Sequence, residues 1–435
     1  MLQLFGSGLV SLWLDKAGVK VATVDPLEVL LWQSSPSLVL APDRSPVASI
    51  TVQQYLKSLQ TLGVEANQGV WIQSGPVLLA NHQGTVPIPA ASLTKIATSI
   101  AALSTWGANY QFDTTVSTNG TISKGVLQGD LIVQGNGDPL FVWEEAIALG
   151  NTLQSMGINR VQGNLIITGT FAMNYNFNPV ASGELLKQAF NAANWSNTVE
   201  NQYLTLAPGT IRPQIVISGT VQQSQIVNPK QILLVRHRSL LLSQILKEMN
   251  VYSNNEMSEM LAYLLGGAQV VQQKAATAAN VPLAEIQLVN GSGLGVENRI
   301  SPRAACAMLM SIQKRLSPYQ LTVADLFPVS GRDRRGTLLT RQIPLNTVIK
   351  TGTLNDVSAL AGVMPTRDRG LVWFAIINRG SAIERFRNEQ DRLLQNLLKQ
   401  LQVAPVVPAA LTPRLQDSNS QPLGEARRNE IMYKG

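Results

Sequence analysis

The apolar positions of this chain follow two different periods, and each period predicts a different kind of element. From Leu93 onward, Ile96, Ile100 and Leu103 recur at helical spacing, so we expect a helix with one buried face. Residues 112–232 instead carry short runs of Val, Ile and Thr between Gly and Asn, a pattern typical of strands and turns. The sequence therefore predicts a helix followed by a long β-rich stretch.

Two further groups of short strands flank that stretch. The strands are predicted at 69–73, 77–81, 346–351, 358–364 and 370–377. Because short turns join neighbouring strands, the first two should form a hairpin and the last three an antiparallel meander. Apolar positions among alternating charges then predict an amphipathic helix over 382–401.

Composition is that of a globular protein and argues against a nucleic-acid partner. The chain has 435 residues, of which 45% are hydrophobic and 14% charged, and its formal net charge is +7. Lys and Arg are scattered, and the sequence has no basic stripe with interleaved aromatic residues. A mild basic excess favours an anionic partner only weakly.

The scarcity of cysteine and histidine excludes several kinds of chemistry. Cys306 is the single cysteine, so an internal disulfide is impossible, and its apolar neighbours predict a buried helix position. With only His82 and His237 besides, a zinc site of the common His/Cys kind cannot be built. Neither histidine has a context that suggests the base of a Ser-His-Asp triad.

An apolar run occupies residues 2–14 at the N-terminus. It is too short to span a bilayer, no Lys or Arg precedes it, and no small-residue cleavage site follows it. It is therefore a poor export signal. The alternatives are a surface-docking segment, which would give weak membrane association, and a signal that this version of the chain lacks.

The first motif that could carry chemistry is Ser92-Leu93-Thr94-Lys95. Residues three apart share a helix face, so the Lys95 amine can reach the Ser92 hydroxyl. A serine needs a base to take its proton, and a lysine is that base only when burial or a second cation lowers its pKa. Alone the motif is weak evidence, because an N-cap serine followed by an exposed lysine has the same pattern.

The second motif, Ser253-Asn254-Asn255, follows an apolar helix. Here the Ser253 hydroxyl can pass a proton to a departing amine, and the Asn255 amide can hold Lys95 and a substrate backbone. A polar loop or a helix cap is the alternative interpretation.

The third motif, Lys350-Thr351-Gly352-Thr353, ends a predicted strand. Gly352 permits a ligand backbone to approach closely. The hydroxyls of Thr351 and Thr353 can bind a substrate carboxylate, and Lys350 supplies a nearby positive charge. An edge strand with a surface lysine is the alternative.

Taken together and in this order, the three motifs resemble the set found in penicillin-binding proteins and class A β-lactamases. The chain most resembles the D-alanyl-D-alanine carboxypeptidase/endopeptidase family, the DacB-like low-molecular-mass penicillin-binding proteins, over roughly residues 70–400. Further segments that carry the resemblance are 89–95, 135–139, 290–294, 329–331, 336–338 and 350–362.

The resemblance implies an α+β fold, in which helices flank an antiparallel sheet and a β-rich domain is inserted after the nucleophile helix. We therefore expect an N-terminal segment of unclear role, a transpeptidase-like domain in two parts, the inserted domain and a flexible Pro-rich tail. The corresponding boundaries are 1–65, 66–111 with 233–402, 112–232, and 403–435.

The resemblance also implies a function. Ser92 would form an acyl-enzyme while hydrolysing the terminal D-Ala-D-Ala bond of peptidoglycan stem peptides, with endopeptidase cleavage of cross-links as a further expectation. Lys95 would be the base, Ser253 the proton relay, and the backbone N–H groups of Ser92 and Thr353 the oxyanion site. β-Lactams would acylate the same serine, no cofactor would be needed, and the location would be periplasmic or otherwise extracytoplasmic.

Two departures from the family pattern and two other functions remain open. Asn290 stands where Asp is usual, and residues 332–335 contain two extra arginines. A β-lactamase or esterase on the same fold is one alternative, although no deacylating glutamate can be assigned. A non-catalytic wall-binding protein is the other, and the intact motifs argue against it.

Overall fold

The computed structural model describes residues 41–43, 45–61, 67–225, 231–415 and 423–433. Within these ranges the α-helices are α1 (Val47–Gln60), α2 (Thr94–Trp106), α3 (Trp143–Ser155), α4 (Pro179–Ala189), α5 (Asn197–Tyr203), α6 (Leu242–Tyr252), α7 (Asn255–Leu264), α8 (Ala268–Ala279), α9 (Pro302–Leu316) and α10 (Ile383–Leu401). The β-strands are β1 (Ala41–Pro42), β2 (Gln68–Ser74), β3 (Val77–His82), β4 (Ile88–Pro89), β5 (Asp113–Thr118), β6 (Thr121–Ser123), β7 (Val126–Gln128), β8 (Leu131–Asn136), β9 (Arg160–Val161), β10 (Leu165–Thr170), β11 (Val216–Ile217), β12 (Val221–Gln223), β13 (Ile232–Arg238), β14 (Ile286–Gln287), β15 (Arg299–Ile300), β16 (Val348–Leu354), β17 (Val357–Thr366), β18 (Gly370–Arg379) and β19 (Asn429–Ile431).

The central sheet has six strands in the order β1-β3-β2-β18-β17-β16. Neighbouring strands are antiparallel except β1 and β3. The predicted hairpin (β2 and β3) and the predicted meander (β16, β17 and β18) are both confirmed. Beyond an isolated bridge at Val348, no described strand pairs with the outer edge of β16.

Side chains along β17 alternate between the two faces of the central sheet. Ala359 and Ala361 belong to the core beneath α2 and α9, whereas Leu360 and Met364 belong to the core beneath α1 and α10. The whole of β17 is buried, which requires cover on both faces. The expectation of an antiparallel sheet with helices on both sides is therefore confirmed.

Helix α1 gives part of the N-terminal segment a structural role. Its buried positions include Val52 and Leu59, and the Tyr55 hydroxyl donates a hydrogen bond to Asn378 Oδ1 at 2.8 Å. Residues 47–60 thus form part of the outer helical layer of the main sheet. The apolar run at 2–14 lies outside the described residues, and no helix within the described ranges has the length and apolar character to cross a membrane.

Between α2 and α6 the chain forms a second group of sheets with its own core. One sheet has the order β12-β10-β8-β5-β13-β19, and a smaller one the order β11-β9-β7-β6. β8 and β10 are parallel, and α3 provides the crossover that parallel strands need. The stretch also contains α4 and α5, so it holds more helix than its composition indicates. Because β13 belongs to this sheet, we place the end of the inserted domain at Arg238.

The C-terminal segment differs from the flexible tail that its prolines indicate. Leu411 is buried in the main core, and β19 pairs antiparallel with β13 of the inserted domain. Buried Arg428 forms an ion pair with buried Glu145. These contacts join residues far apart in sequence, so local composition does not reveal them.

Candidate active site

Ser92 lies in a short 3₁₀ turn, Ala91–Leu93, that leads directly into α2. The alternative of an N-cap serine is wrong, because the N-cap of α2 is Leu93 and no side-chain capping bond is present. Ala91 has a φ of 48°, in the left-handed region where an alanine is strained. The turn therefore leaves the Ser92 hydroxyl available for Lys95.

Lys95 is fully buried one helical turn after Ser92. Its Nζ lies 3.0 Å from Ser92 Oγ, 2.7 Å from Asn255 Oδ1 and 2.8 Å from the Ser292 carbonyl oxygen. The amide and carbonyl oxygens only accept hydrogen bonds, so a neutral amine donates both its hydrogens to them. Its lone pair is then left for the Ser92 proton. This geometry suits a general base, and the burial of Lys95 contradicts the alternative of an exposed surface lysine.

The electrostatics of Lys95 agree with that role. Burial lowers its pKa from 10.5 to about 7, while the nearby carboxylates of Glu259 and Glu256 oppose the shift. A lysine with an ordinary pKa is almost wholly protonated at neutral pH, whereas the lowered pKa of Lys95 favours a much larger share of free amine there.

Each residue of the second motif has a separate task. Ser253 ends α6 with a left-handed φ of 54°, and its Oγ accepts a hydrogen bond from Lys350 Nζ at 2.9 Å. The Asn254 side chain accepts from the Met257 backbone N–H at 2.8 Å and caps α7. Asn255, the first residue of α7, faces Lys95. The break between the two helices thus places the hydroxyl and the amide on either side of the cap.

Lys350 connects the second motif to the third. It is fully buried on β16 and also donates to the Thr351 carbonyl oxygen at 2.7 Å. Burial holds the pKa of Lys350 well below its usual range, and repulsion from Lys95 lowers it further. Asn255, two positions after Ser253, hydrogen-bonds to Lys95, and Gly352, two positions after Lys350, lies against the Ser92 nitrogen, so the Ser92–Lys95 and Ser253–Lys350 pairs belong to one site.

Gly352 allows β16 to run directly beside the nucleophile turn. A Cβ at this position would lie 2.8 Å from the Ala90 carbonyl oxygen and 3.1 Å from the Ser92 nitrogen, closer than a side chain normally tolerates. Thr351 Oγ1 hydrogen-bonds to Thr337 Oγ1 at 2.8 Å and is buried, whereas Thr353 is exposed. Of the two threonines, Thr353 is the more open to a ligand.

Two residues that the sequence analysis missed complete the environment of Lys95. The Glu259 carboxylate accepts the backbone N–H groups of Gly291 at 3.1 Å and Ser292 at 2.9 Å. It thereby holds the turn whose Ser292 carbonyl binds Lys95. The sequence does contain a pattern that could have identified Glu259. It follows Asn255 by four positions, so the two residues share one face of the helix.

The asparagine at position 290 suits this same turn. Asn290 Oδ1 accepts from the Gly293 N–H at 2.8 Å, and Nδ2 donates to the Leu294 carbonyl oxygen at 2.6 Å. A carboxylate cannot make the second bond, because it has no hydrogen to donate. The departure from the family pattern therefore leaves the turn fully bonded.

The arginine-rich segment at 332–335 lies against α6, next to the second motif. Arg335 pairs with Glu248 at 2.7 Å, and its guanidinium lies 5.5 Å from the centre of the Tyr252 ring. Asp333 pairs with Lys247 at 2.8 Å. The segment thus braces the helix that ends at Ser253.

Comparison with known sequences agrees with this geometry. The chain matches the D-Ala-D-Ala carboxypeptidase 3 (S13) family over residues 50–207 and 205–400. It belongs to this family. The S13 relatives include D-alanyl-D-alanine carboxypeptidase DacB of Haemophilus influenzae, 24% identical over 392 residues, which cover 67% of this chain and 80% of the relative. The D-alanyl-D-alanine carboxypeptidase of Actinomadura sp. (strain R39) is 23% identical over 412 residues, or 71% of this chain and 76% of the relative. The family resemblance seen in the motifs is confirmed.

Solved structures of similar proteins have the same fold. A penicillin G-acylated predatory endopeptidase of Bdellovibrio bacteriovorus, in complex with an immunity protein, gives a TM-score of 0.66 at 20% identity, covering 77% of this chain and 91% of that one. Penicillin binding protein 4 of Haemophilus influenzae gives 0.59 at 21% identity, covering 80% and 99%. The predicted α+β, penicillin-binding fold is thus confirmed for this S13 protein.

Proposed function

We propose that this S13 protein is a serine-type D-alanyl-D-alanine carboxypeptidase acting on peptidoglycan stem peptides. The observation that carries the proposal is the environment of Lys95, a buried amine within hydrogen-bonding distance of Ser92, Asn255 and the Ser292 carbonyl. Membership of the S13 family and the carboxypeptidase names of its relatives support the substrate class.

Acylation begins with transfer of the Ser92 hydroxyl proton to neutral Lys95. Ser92 Oγ then attacks the carbonyl carbon of the penultimate D-Ala, and negative charge develops on the carbonyl oxygen. The backbone N–H groups of Ser92 and Thr353 would stabilise this oxyanion, each contributing about 3 kcal/mol. The close approach of Gly352 to the Ser92 nitrogen supports this pairing of donors.

Release of the terminal D-Ala requires a proton on its nitrogen. We assign this delivery to Ser253, which donates its own hydroxyl proton as the C–N bond breaks and is reprotonated from Lys95. Lys350 donates to Ser253 Oγ, so the serine hydrogen is directed away from Lys350 and toward the leaving group. Water then attacks the acyl-enzyme as Lys95 takes one of its protons, and Lys95 passes that proton to Ser92 Oγ as the ester bond breaks and the shortened peptide leaves.

The same site has three further expected properties. Thr351, Thr353 and the Lys350 charge would bind the terminal carboxylate, with Asn255 holding Lys95 in place. D-amino-acid cross-links that present the same bond would be opened by the same steps, and β-lactams would acylate Ser92 and remain attached. Since peptidoglycan is outside the cytoplasm, we place the working location there.

A covalent label and a Ser92→Ala variant test the nucleophile. We expect a fluorescent penicillin to label the native protein and not the variant, with an unchanged circular-dichroism spectrum showing that the variant is folded. Labelling that survives the substitution would rule out Ser92.

Mass spectrometry of purified muropeptides after incubation tests the reaction itself. Loss of one D-Ala per stem peptide is the expected product. Rapid turnover of a chromogenic cephalosporin without release of D-Ala would instead favour a β-lactamase.

A further inference from the structure

The carboxylate-binding strand has a cationic neighbour that none of the three motifs contains. We propose that Arg387 is a positioning residue for the terminal carboxylate of the substrate, acting through the hydroxyl of Thr353. The inference rests on the proposed function, because it assumes that a carboxylate binds beside β16.

The geometry comes from the start of α10, which lies beneath the opposite face of the sheet from α2. Arg387 Nη2 donates a hydrogen bond to Thr353 Oγ1 at 3.0 Å. Its Nη1 pairs with Glu384 three positions earlier at 2.5 Å. The Glu384 side chain is 77% exposed and that of Arg387 only 27%, so the guanidinium is fixed between the helix and the strand.

The hydrogen bond sets the direction of the threonine hydroxyl. A guanidinium has donors only, so Thr353 Oγ1 must accept from Arg387 and its own hydrogen is left to point elsewhere. Thr353 is exposed on the edge strand, so this hydrogen can be donated to a carboxylate bound beside β16. Accepting the hydrogen bond from Arg387 also polarises the Thr353 hydroxyl. This polarisation strengthens the hydrogen bond that the hydroxyl donates to the carboxylate.

Arg387 also supplies a charge that does not depend on pH. Lys350 is the other cation of this strand, but burial and the nearby Lys95 hold its pKa well below the usual range. An arginine remains protonated throughout the working range. The Glu384 carboxylate faces mainly water, which screens its charge. The positive potential of Arg387 is therefore only partly cancelled on the side that faces β16.

The experiment compares two forms of one substrate in the native protein and three variants. A peptide ending in D-Ala-D-Ala with a free carboxylate and the same peptide with a C-terminal amide are supplied to the native protein, Arg387→Ala, Arg387→Lys and Arg392→Ala. Arg392 is the matched control, since it lies on the same helix, pairs with Glu389 three positions earlier and is 69% exposed.

We expect Arg387→Ala to lower kcat/KM about tenfold for the carboxylate peptide, the size of losing one charge-assisted hydrogen bond. The amidated peptide should change less than about twofold, because it lacks the charge that the contact recognises. Arg387→Lys should restore part of the loss, and Arg392→Ala should match the native protein with both peptides. Equal losses with both peptides, or no loss with either, would overturn the proposal.

A double substitution tests the route through the hydroxyl. If Arg387 acts through Thr353, Arg387→Ala should add little to the loss already caused by Thr353→Val, whereas independent effects would multiply. Multiplying effects would contradict the positioning role.

Failure of the proposed function would appear separately. A native protein that cleaves neither peptide contradicts the carboxypeptidase assignment, and the acylation rates of benzylpenicillin and its methyl ester then decide the role of Arg387 in the same variants. Loss confined to the free-carboxylate penicillin supports it, and any other pattern, including no acylation, overturns it.

Discussion

At the scale of single residues, the site depends on a lysine held away from water. Lys95 has acceptors for each of its hydrogens but no carboxylate in direct contact, so burial dominates its pKa. Glu259 lies near enough to raise the pKa, yet its oxygens are occupied by the backbone N–H groups of Gly291 and Ser292. Desolvation thus lowers the pKa of the proposed base, and a nearby carboxylate limits the shift.

The acylation rate should therefore follow the protonation of Lys95. Because its pKa is lowered to about 7, the free amine predominates above that pH and the ammonium below it. We expect the acylation rate constant to fall about tenfold per pH unit on the acidic side and to level off on the alkaline side. Stopped-flow acylation by a β-lactam across this range measures the profile, and a flat profile would exclude Lys95 as the base.

Two carboxamide variants distinguish the effect of a carboxylate charge on the pKa of Lys95 from its effect on the structure of the site. Glu259→Gln and Glu256→Gln each remove a charge that raises the pKa of Lys95, so both should shift the midpoint to lower pH, with the larger shift for Glu259. Only Glu259→Gln should also reduce the alkaline plateau, because it disturbs the turn at 291–292.

The sequence was enough to nominate Ser92, Lys95 and Lys350, because three motifs that are each weak alone occur together, in order, and near helix starts and a strand end. It could not nominate Ser292, which acts through a backbone carbonyl that any residue possesses. Arg387 escaped for a different reason, since its contact with Thr353 spans 34 positions and joins two elements.

At the scale of elements, the junction between α6 and α7 is the most constrained part of the site. Ser253 takes a left-handed conformation there, with a φ of 54°, which normally favours glycine. The strain is tolerated at a point where the hydroxyl meets Lys350. This is the pattern expected when a backbone outlier serves function rather than stability.

Two substitutions at Ser253 should distinguish the effect of its hydroxyl on the reaction rate from the effect of its backbone strain on stability. Ser253→Ala and Ser253→Gly both remove the hydroxyl, so both should slow the reaction by about 10²-fold or more, the contribution of a proton donor. Ser253→Gly should nevertheless be more stable than Ser253→Ala by about 1 kcal/mol, because glycine adopts a positive φ without strain. Urea unfolding of the two variants measures the difference, and equal stabilities would contradict the strain.

Elements built from neighbouring segments were predictable, as the β2–β3 hairpin and the meander of β16 to β18 show. Their turns are short, and short turns join neighbouring antiparallel strands, so the pairing could be predicted from the order of the strands along the chain. The parallel pairing of β8 with β10 was not predictable, because the strands are joined through a helix. The cap of α2 was also missed, since a 3₁₀ turn displaces Ser92 from the N-cap position.

At the scale of the whole molecule, the C-terminal segment connects the two halves of the protein. The backbone N–H groups of Arg414 and Leu415 bind Asp325 Oδ1 at 2.7 Å in the main domain. Further on, the Arg428 side chain, 8% exposed, pairs with the 3% exposed Glu145 of α3. The same segment is thus anchored at both ends by hydrogen bonds and a buried ion pair.

Arg428→Ala should therefore destabilise the protein strongly. The substitution leaves the buried Glu145 carboxylate without its ion-pair partner. We expect the free energy of unfolding to fall by about 3 kcal/mol. Arg427→Ala is the matched control, because Arg427 is 65% exposed and its pair with Glu425 is at the surface. A fall in the urea midpoint for Arg428→Ala alone supports the anchoring, and equal midpoints for both variants would contradict it.

The pairing of β19 with β13 also has a consequence for how the protein is made. His237 and Asn429, in contact across these strands, are separated by 192 positions, so synthesis supplies β13 long before its partner exists. During that interval β13 has an unpaired edge, and such edges recruit strands from other molecules. Contacts over this sequence distance also form slowly. We therefore expect nascent chains to be most prone to aggregation until residues 429–431 have been synthesised and have paired with β13, and the folded protein to be largely protected.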